Sequence, residues 1–196
     1  MKYLLCHGFS FSDEYWNNLV PLLDAAYEFF DENKNYDSAK NYIGIGHSIG
    51  FQKLNNSGIK FKALIGLQGF LNFCNNDPII LENIDRMIHS FSISTDKSVD
   101  FFHKVCGLPQ AISNDSSADQ LLSDLESMKY GYKHCGYPTM IIGTNDDPII
   151  SKQNIIDNFK SLPEIKLSFI EGQHHALGFL NAAEVVQQIQ DFLKSI

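Results

Sequence analysis

Arginine is almost missing from this 196-residue chain: Arg86 is the only one. Bidentate recognition of phosphate, which suits the guanidinium fork, is therefore not expected as a theme of the protein. Positive charge is scarce more generally. Lys and Arg number 15 against 23 Asp and Glu, a net charge of −8. That balance argues against a general binder of nucleic acid or anionic membranes, and no basic stripe interleaved with aromatics offsets it. Cysteine is sparse and scattered, at Cys6, Cys74, Cys106 and Cys135, with no C-x-x-C pair. The expected setting is reduced and cytoplasmic, with buried free thiols. No stretch has membrane-spanning length. The short apolar run before His7-Gly8 lacks the length and cleavage pattern of a signal peptide. Repeats and low-complexity segments are absent. What is present is a chain 44% hydrophobic and 19% charged, which fits one globular domain with a sizeable core.

The stretch from Lys40 to Gly50 organises the rest. Its apolar run, Tyr42 to Ile45, reads as a buried strand. It ends in Gly46-His47-Ser48-Ile49-Gly50, a G-x-S-x-G pentapeptide. That spacing suits a sharp strand-to-helix turn with a serine at its apex, where side chains two residues away would clash. The amide of Ile49 would then open a helix, where anionic charge is favoured.

Around this stretch, strand and helix patterns alternate. Lys2 to Cys6 is an apolar run suited to a strand covered on both faces. A glycine break, His7-Gly8-Phe9-Ser10, follows. Ser12 reads as a cap, and Trp16, Leu19, Val20 and Leu23 predict a helix. Ala26 to Phe30 is a second strand, and the polar stretch Asp31 to Ala39 has room for a helical turn or two. After the serine, a helix is expected from Ile49 to about Asn56, then a strand from Phe61 to Leu67. Residues 70–135 change character and carry three amphipathic helical patterns with no strand. They predict a helical insertion, positioned as a lid over the serine at the sheet's carboxyl edge. The alternation resumes with a strand at Pro138 to Gly143, a helix around Ile155 and Phe159, a strand at Ile165 to Ile170 and a closing helix around Val185 to Leu193. Such alternation predicts a mostly parallel, doubly wound sheet.

Three loops at strand ends each bring one reactive type, in the order Ser48, then Asp146 or Asp147, then His174 or His175. A serine hydroxyl needs a neighbouring base to become a nucleophile. An imidazole suits that task, and a carboxylate behind it fixes the tautomer. The amides of Phe9 and Ile49 are the candidate oxyanion donors. A metal site at the His-His pair is disfavoured, because no acid-containing zinc spacing accompanies it. His89, His103 and His134 read as surface or satisfied residues, and Ser10 and Ser12 as loop and cap.

In this serine–acid–histidine order, with a His-Gly loop at the front, the chain resembles the α/β-hydrolases from end to end, trimmed so that it begins at the strand before His7-Gly8. Within that superfamily it looks like small carboxylesterases related to the pimeloyl-acyl-carrier-protein methyl ester esterase of biotin synthesis. The residues carrying the narrower likeness are Phe61 to Phe70, Phe73-Cys74, Met87-Ile88, Phe91 and Phe101 to Gly107. The resemblance implies a cytoplasmic hydrolase that needs no cofactor and acts on a small-molecule or carrier-linked acyl ester, with acyl carrier protein as a candidate partner. Asp147-Pro148-Ile149-Ile150 resembles the Asp-Pro-Ile-Val-Pro of relatives and points to Asp147, whereas Gly143-x-x-Asp points to Asp146. Gly172-Gln173-His174-His175 matches a Gly-x-Gly-His pattern and places the base at His175. His47 and Phe70 are the candidate substrate-binding side chains, His47 being also readable as packing beside the lid opening.

Overall fold

The computed structural model describes residues 1–37 and 41–196. Six strands form one sheet: β1 (Lys2–Cys6), β2 (Tyr27–Phe29), β3 (Tyr42–His47), β4 (Phe61–Leu67), β5 (Thr139–Thr144) and β6 (Lys166–Ile170). Their order is β2-β1-β3-β4-β5-β6, and every pairing is parallel. β3 and β5 are buried at every position, as expected for strands covered on both faces. The chain leaves β1 toward β2 on one side and returns to β3 on the other. Strand order therefore reverses between β1 and β3, the place where open parallel sheets form a crevice beyond their carboxyl ends. Cys6 pairs with Gly46 there, so the loops after β1 and β3 leave the sheet level with each other.

The helices are α1 (Ile49–Asn56), α2 (Pro78–Ile93), α3 (Thr95–Val105), α4 (Ala118–Ser127), α5 (Lys152–Phe159), α6 (Leu177–Leu180) and α7 (Ala182–Leu193). Asp77, Ser117 and Ser151 cap α2, α4 and α5, each side chain accepting from a backbone amide of the first turn, which satisfies donors the helix itself cannot. The three helices expected in residues 70–135 are α2, α3 and α4, lying between β4 and β5. Their root is tied down. Tyr132 N donates to Leu71 O at 3.0 Å. From α5, Asn158 Oδ1 accepts from the amides of Leu71 and Asn72. Lys53 of α1 bridges to Asp124 of α4 at 2.9 Å and to Glu32 at 3.1 Å.

Three local expectations change. The helix predicted from Ser12 to Leu23 is two short 3₁₀ turns, Asp13–Trp16 and Val20–Leu22. A repeat of three keeps Trp16 and Leu19 on the same inward face, and Pro21, which has no N–H, opens the second turn. No helix forms in Asp31 to Asp37; the end of that expected turn, together with Lys40 at the start of the organising stretch, lies outside the described residues. The strand before the serine runs on to His47 rather than stopping at Ile45. Among the described residues no helix is long and apolar enough to cross a membrane.

At the sheet's edge, Glu28 of β2 meets Lys2 at 3.0 Å and Lys34 at 2.8 Å. Burial alone would raise its carboxyl, but hydrogen bonds from Lys34, Tyr42 and Lys2 outweigh that and hold it down to about 2. A group depressed in the folded state stabilises it above the unfolded value, and that stability is lost as pH falls through the folded one. Urea midpoints are therefore expected to drop between about pH 4.5 and about pH 2, and Glu28→Gln to flatten that limb. An unchanged acid limb in the variant would remove Glu28 from the account.

Candidate active site

Ser48 stands where β3 turns into α1. Its backbone has φ 53° and ψ −123°, a conformation L residues occupy only under constraint. The constraint is visible on both sides. Ser48 N donates to Leu67 O at 2.8 Å, and Phe51 N donates to Ser48 O at 3.1 Å. A Cβ at Gly46 would overlap the backbone of Phe51, and one at Gly50 would overlap the carbonyl oxygens of Cys6 and His7. Only glycine lets α1 lie this close to β1 and β3. The amides of Phe9 and Ile49 have no hydrogen-bond acceptor among the described residues; that of Ile49 is one of the open donors at the start of α1.

Asp147 and His175 meet at the same sheet edge. His175 Nδ1 lies 2.7 Å from Asp147 Oδ2, and both side chains are almost wholly enclosed, at 1% and 0% exposure. The other carboxylate oxygen accepts from the amides of Ile149 at 2.6 Å and Ile150 at 3.2 Å. With all of its hydrogen-bonded neighbours donating, the carboxylate assigns the Nδ1–H tautomer to His175 and leaves Nε2 as its basic nitrogen. Ser48 Oγ and His175 Nε2 each lack a hydrogen-bond partner among the described residues, and the two residues are 4% and 1% exposed. The structure thus joins Asp147 to His175 and does not join Ser48 to His175 by a hydrogen bond. Such contacts are often formed only when a ligand is bound.

The neighbours left open by the sequence are placed differently. Asp146 is exposed, its amide donating to Gly172 O at 3.1 Å. His174 makes no hydrogen bond to Asp147, and its carbonyl accepts from Thr144 Oγ1 at 2.9 Å and Gln68 Nε2 at 3.4 Å. Burial lowers the pKa of the His174 ring. The two expected substrate contacts are corrected. His47 and Phe70 are both 0% exposed, so neither presents a side chain to a ligand. His47 stacks on Tyr15 at 4.3 Å, and its Nε2 lies 3.0 Å from the carbonyl of His175. Donation to that carbonyl makes His47 a prop beneath the histidine loop. Burial drives its pKa well below 6.5. Phe70 packs against Phe73 in the interior.

Sequence reasoning missed the part played by α3. His103, read as surface or satisfied, is fully buried, stacks on Phe11 at 4.7 Å and places Nε2 2.8 Å from Ser10 O. Three residues on, Cys106 O accepts from the amides of His175 and Ala176. One helix thereby grips both the loop after β1 and the histidine loop. The Cys106 thiol is pushed well up by burial. Nothing in the local pattern marked these contacts, because each joins segments distant in sequence. Ser48 opens into a cavity of about 20 Å³ walled by Phe9, Ile84, Met87, Phe102, Met128 and Ile149 among others. Among the described residues no cluster of three His, Cys, Asp or Glu is placed to hold a metal.

No protein-family model matches the chain, and no curated protein matches its sequence. Solved structures do match its shape. A lipase-esterase related protein from Clostridium acetobutylicum is 18% identical, with TM-score 0.68 over 97% of this chain and 93% of that one. An esterase from Exiguobacterium antarcticum is 12% identical, with TM-score 0.76 over 99% and 92%. An epoxide hydrolase from Bacillus megaterium is 14% identical, with TM-score 0.70 over 98% and 93%. The six-stranded parallel sheet and its flanking helices are the α/β-hydrolase fold.

Proposed function

We propose that this protein is a serine carboxylesterase that hydrolyses an acyl ester by way of an acyl-enzyme. The observation that carries the proposal is the enclosed Asp147–His175 pair, 2.7 Å apart, at the sheet edge that also holds the strained Ser48 turn. Likeness in shape to proteins named as esterases favours an ester as substrate.

In this reading Ser48 Oγ attacks the ester carbonyl carbon while its proton passes to His175 Nε2. Asp147 keeps the ring oriented and stabilises the imidazolium. The carbonyl oxygen becomes an oxyanion facing the amides of Phe9 and Ile49, and each such donor is worth ~10²–10³ in rate. Collapse breaks the bond to the alcohol oxygen, which takes the proton from His175. Water then attacks the acyl-serine, again giving its proton to Nε2, and release of the acid restores Ser48. No step requires a cofactor. The helices α2 to α4 act in this account as a cap, and the grip of α3 on the loops after β1 and β6 keeps donors and base in place. A serine-directed fluorophosphonate probe is expected to label Ser48 and no other serine; an unlabelled native protein would sink the proposal.

The same machinery would serve a thioester, and turnover of matched oxygen and thiol esters separates the two. The narrower reading, demethylation of a pimeloyl-type methyl ester for biotin synthesis, is supported by the resemblance in residues 61–107. Docking of an acidic carrier protein has less behind it. Arg86 is paired with Glu82, and Lys129 with Asp85 and Glu126, so these cap cations are already neutralised. Rescue of a biotin auxotroph lacking the demethylating enzyme is the expected result; no rescue despite good expression removes the pimeloyl role and leaves the esterase standing.

A further inference from the structure

The cavity at Ser48, about 20 Å³, holds roughly one water and no acyl chain. Beside it, between α2 and α3, lies a groove of about 490 Å³. Met87, Phe102 and Ile149 line both spaces. Those three side chains are thus the partition between the serine and the groove.

The three are not equally free. Phe102 belongs to α3, which is held by His103 to Ser10 and by Cys106 to the histidine loop. Its ring also packs edge-on against Phe9, with centroids 5.2 Å apart. Ile149 is fixed because its amide donates to Asp147. Met87 is half-buried on α2 and packs on the core, with no hydrogen bond or ring contact to fix its side chain. Its unbranched side chain has three rotatable bonds and adapts readily to changing neighbours.

From this geometry we infer that the groove between α2 and α3 is the acyl-binding site, with Met87 as its gate, and that the substrate class is esters of straight-chain aliphatic acids of medium length. The inference rests on Ser48 being the nucleophile. The occupant follows from the shared wall: a chain whose carbonyl sits at Ser48 reaches this apolar space by passing Met87, Phe102 and Ile149. From Phe102 back to Ser94, the cap of α3, the groove follows eight helical steps, about 12 Å. Its walls are mostly apolar, with Phe91, Phe101 and Val105 along it. Phe101 and Ile93 at the mouth are 69% and 71% exposed. A narrow passage between fixed walls admits an unbranched chain and excludes one branched or aromatic next to the carbonyl.

The test is a series of p-nitrophenyl esters from acetyl through octanoyl, measured on the native protein and on Met87→Trp and Ser90→Trp. Complete burial is worth about fourfold per methylene, so native kcat/KM is expected to rise roughly ten- to a hundredfold from acetyl to hexanoyl. Met87→Trp blocks the gate and Ser90→Trp fills the groove from an exposed position. Each is expected to bring the hexanoyl-to-acetyl ratio close to one. Ser90→Trp gives up the 3.0 Å hydrogen bond between Ser90 Oγ and Ser98 Oγ but overfills no core position, and it covers the case in which Met87→Trp does not fold. A native ratio near one, or a steep ratio that survives Ser90→Trp, overturns the groove as the acyl site. Either result with turnover still lost in Ser48→Ala leaves the esterase reading intact, whereas turnover that persists in Ser48→Ala removes that reading first.

Discussion

Replacing Ser48 with alanine is expected, on the proposed mechanism, to lower kcat on an acyl ester by about 10⁴–10⁶-fold and abolish fluorophosphonate labelling, while the urea midpoint stays close to native. The magnitude is that of removing a nucleophile from a serine–histidine–aspartate set, in which oxyanion donors and binding retain a small residual rate. Stability is expected to hold because Ser48 Oγ makes no hydrogen bond among the described residues. Loss of the hydroxyl therefore strands no partner. Alanine at φ 53° is no more strained than serine. Retention of native turnover in Ser48→Ala would mean that the strained turn serves another purpose.

Asp147→Asn is expected to reduce kcat about 10⁴-fold near neutral pH, and Asp146→Asn to change it less than about twofold. The two residues are adjacent, so the contrast tests orientation rather than charge. Asp147 holds His175 Nδ1–H at 2.7 Å and is itself fixed by two amides. An asparagine there can turn its NH₂ toward the ring, which favours the tautomer with Nε2 protonated and useless as a base. Asp146 is exposed and touches the site only through its backbone. Activity lost equally in both variants would point to a field effect of the loop as a whole and against the carboxylate–imidazole pair.

How the chain alternates was legible along the sequence. The apolar runs at residues 2–6 and 61–67 are strands with those bounds. They are short and uniformly apolar because both faces are covered, and that pattern needs no distant information. The glycines of the serine turn could also be read, since the reason for them is local crowding, and overlap with Cys6 O and Phe51 supplies it. Other features were not legible. The 3₁₀ turns at Asp13–Trp16 and Val20–Leu22 share the apolar spacing of a helix, so periodicity could not tell them apart. His47 carried the signature of a polar residue at a strand end, and its burial against Tyr15 depends on a segment thirty residues earlier.

Sequence alone determined the layered class, the sharp turn at Ser48 and the order in which serine, acids and histidines come along the chain, because these depend on neighbours a few residues apart. Tertiary structure alone decided that Asp147 and not Asp146 meets His175, that His103 and Cys106 tie α3 to two loops, and that Met87, Phe102 and Ile149 stand between the serine and a groove. Each of those depends on contacts between segments distant in the chain, 28 residues for Asp147 and His175 and 93 for Ser10 and His103, where packing selects one of several arrangements that the local pattern permits equally.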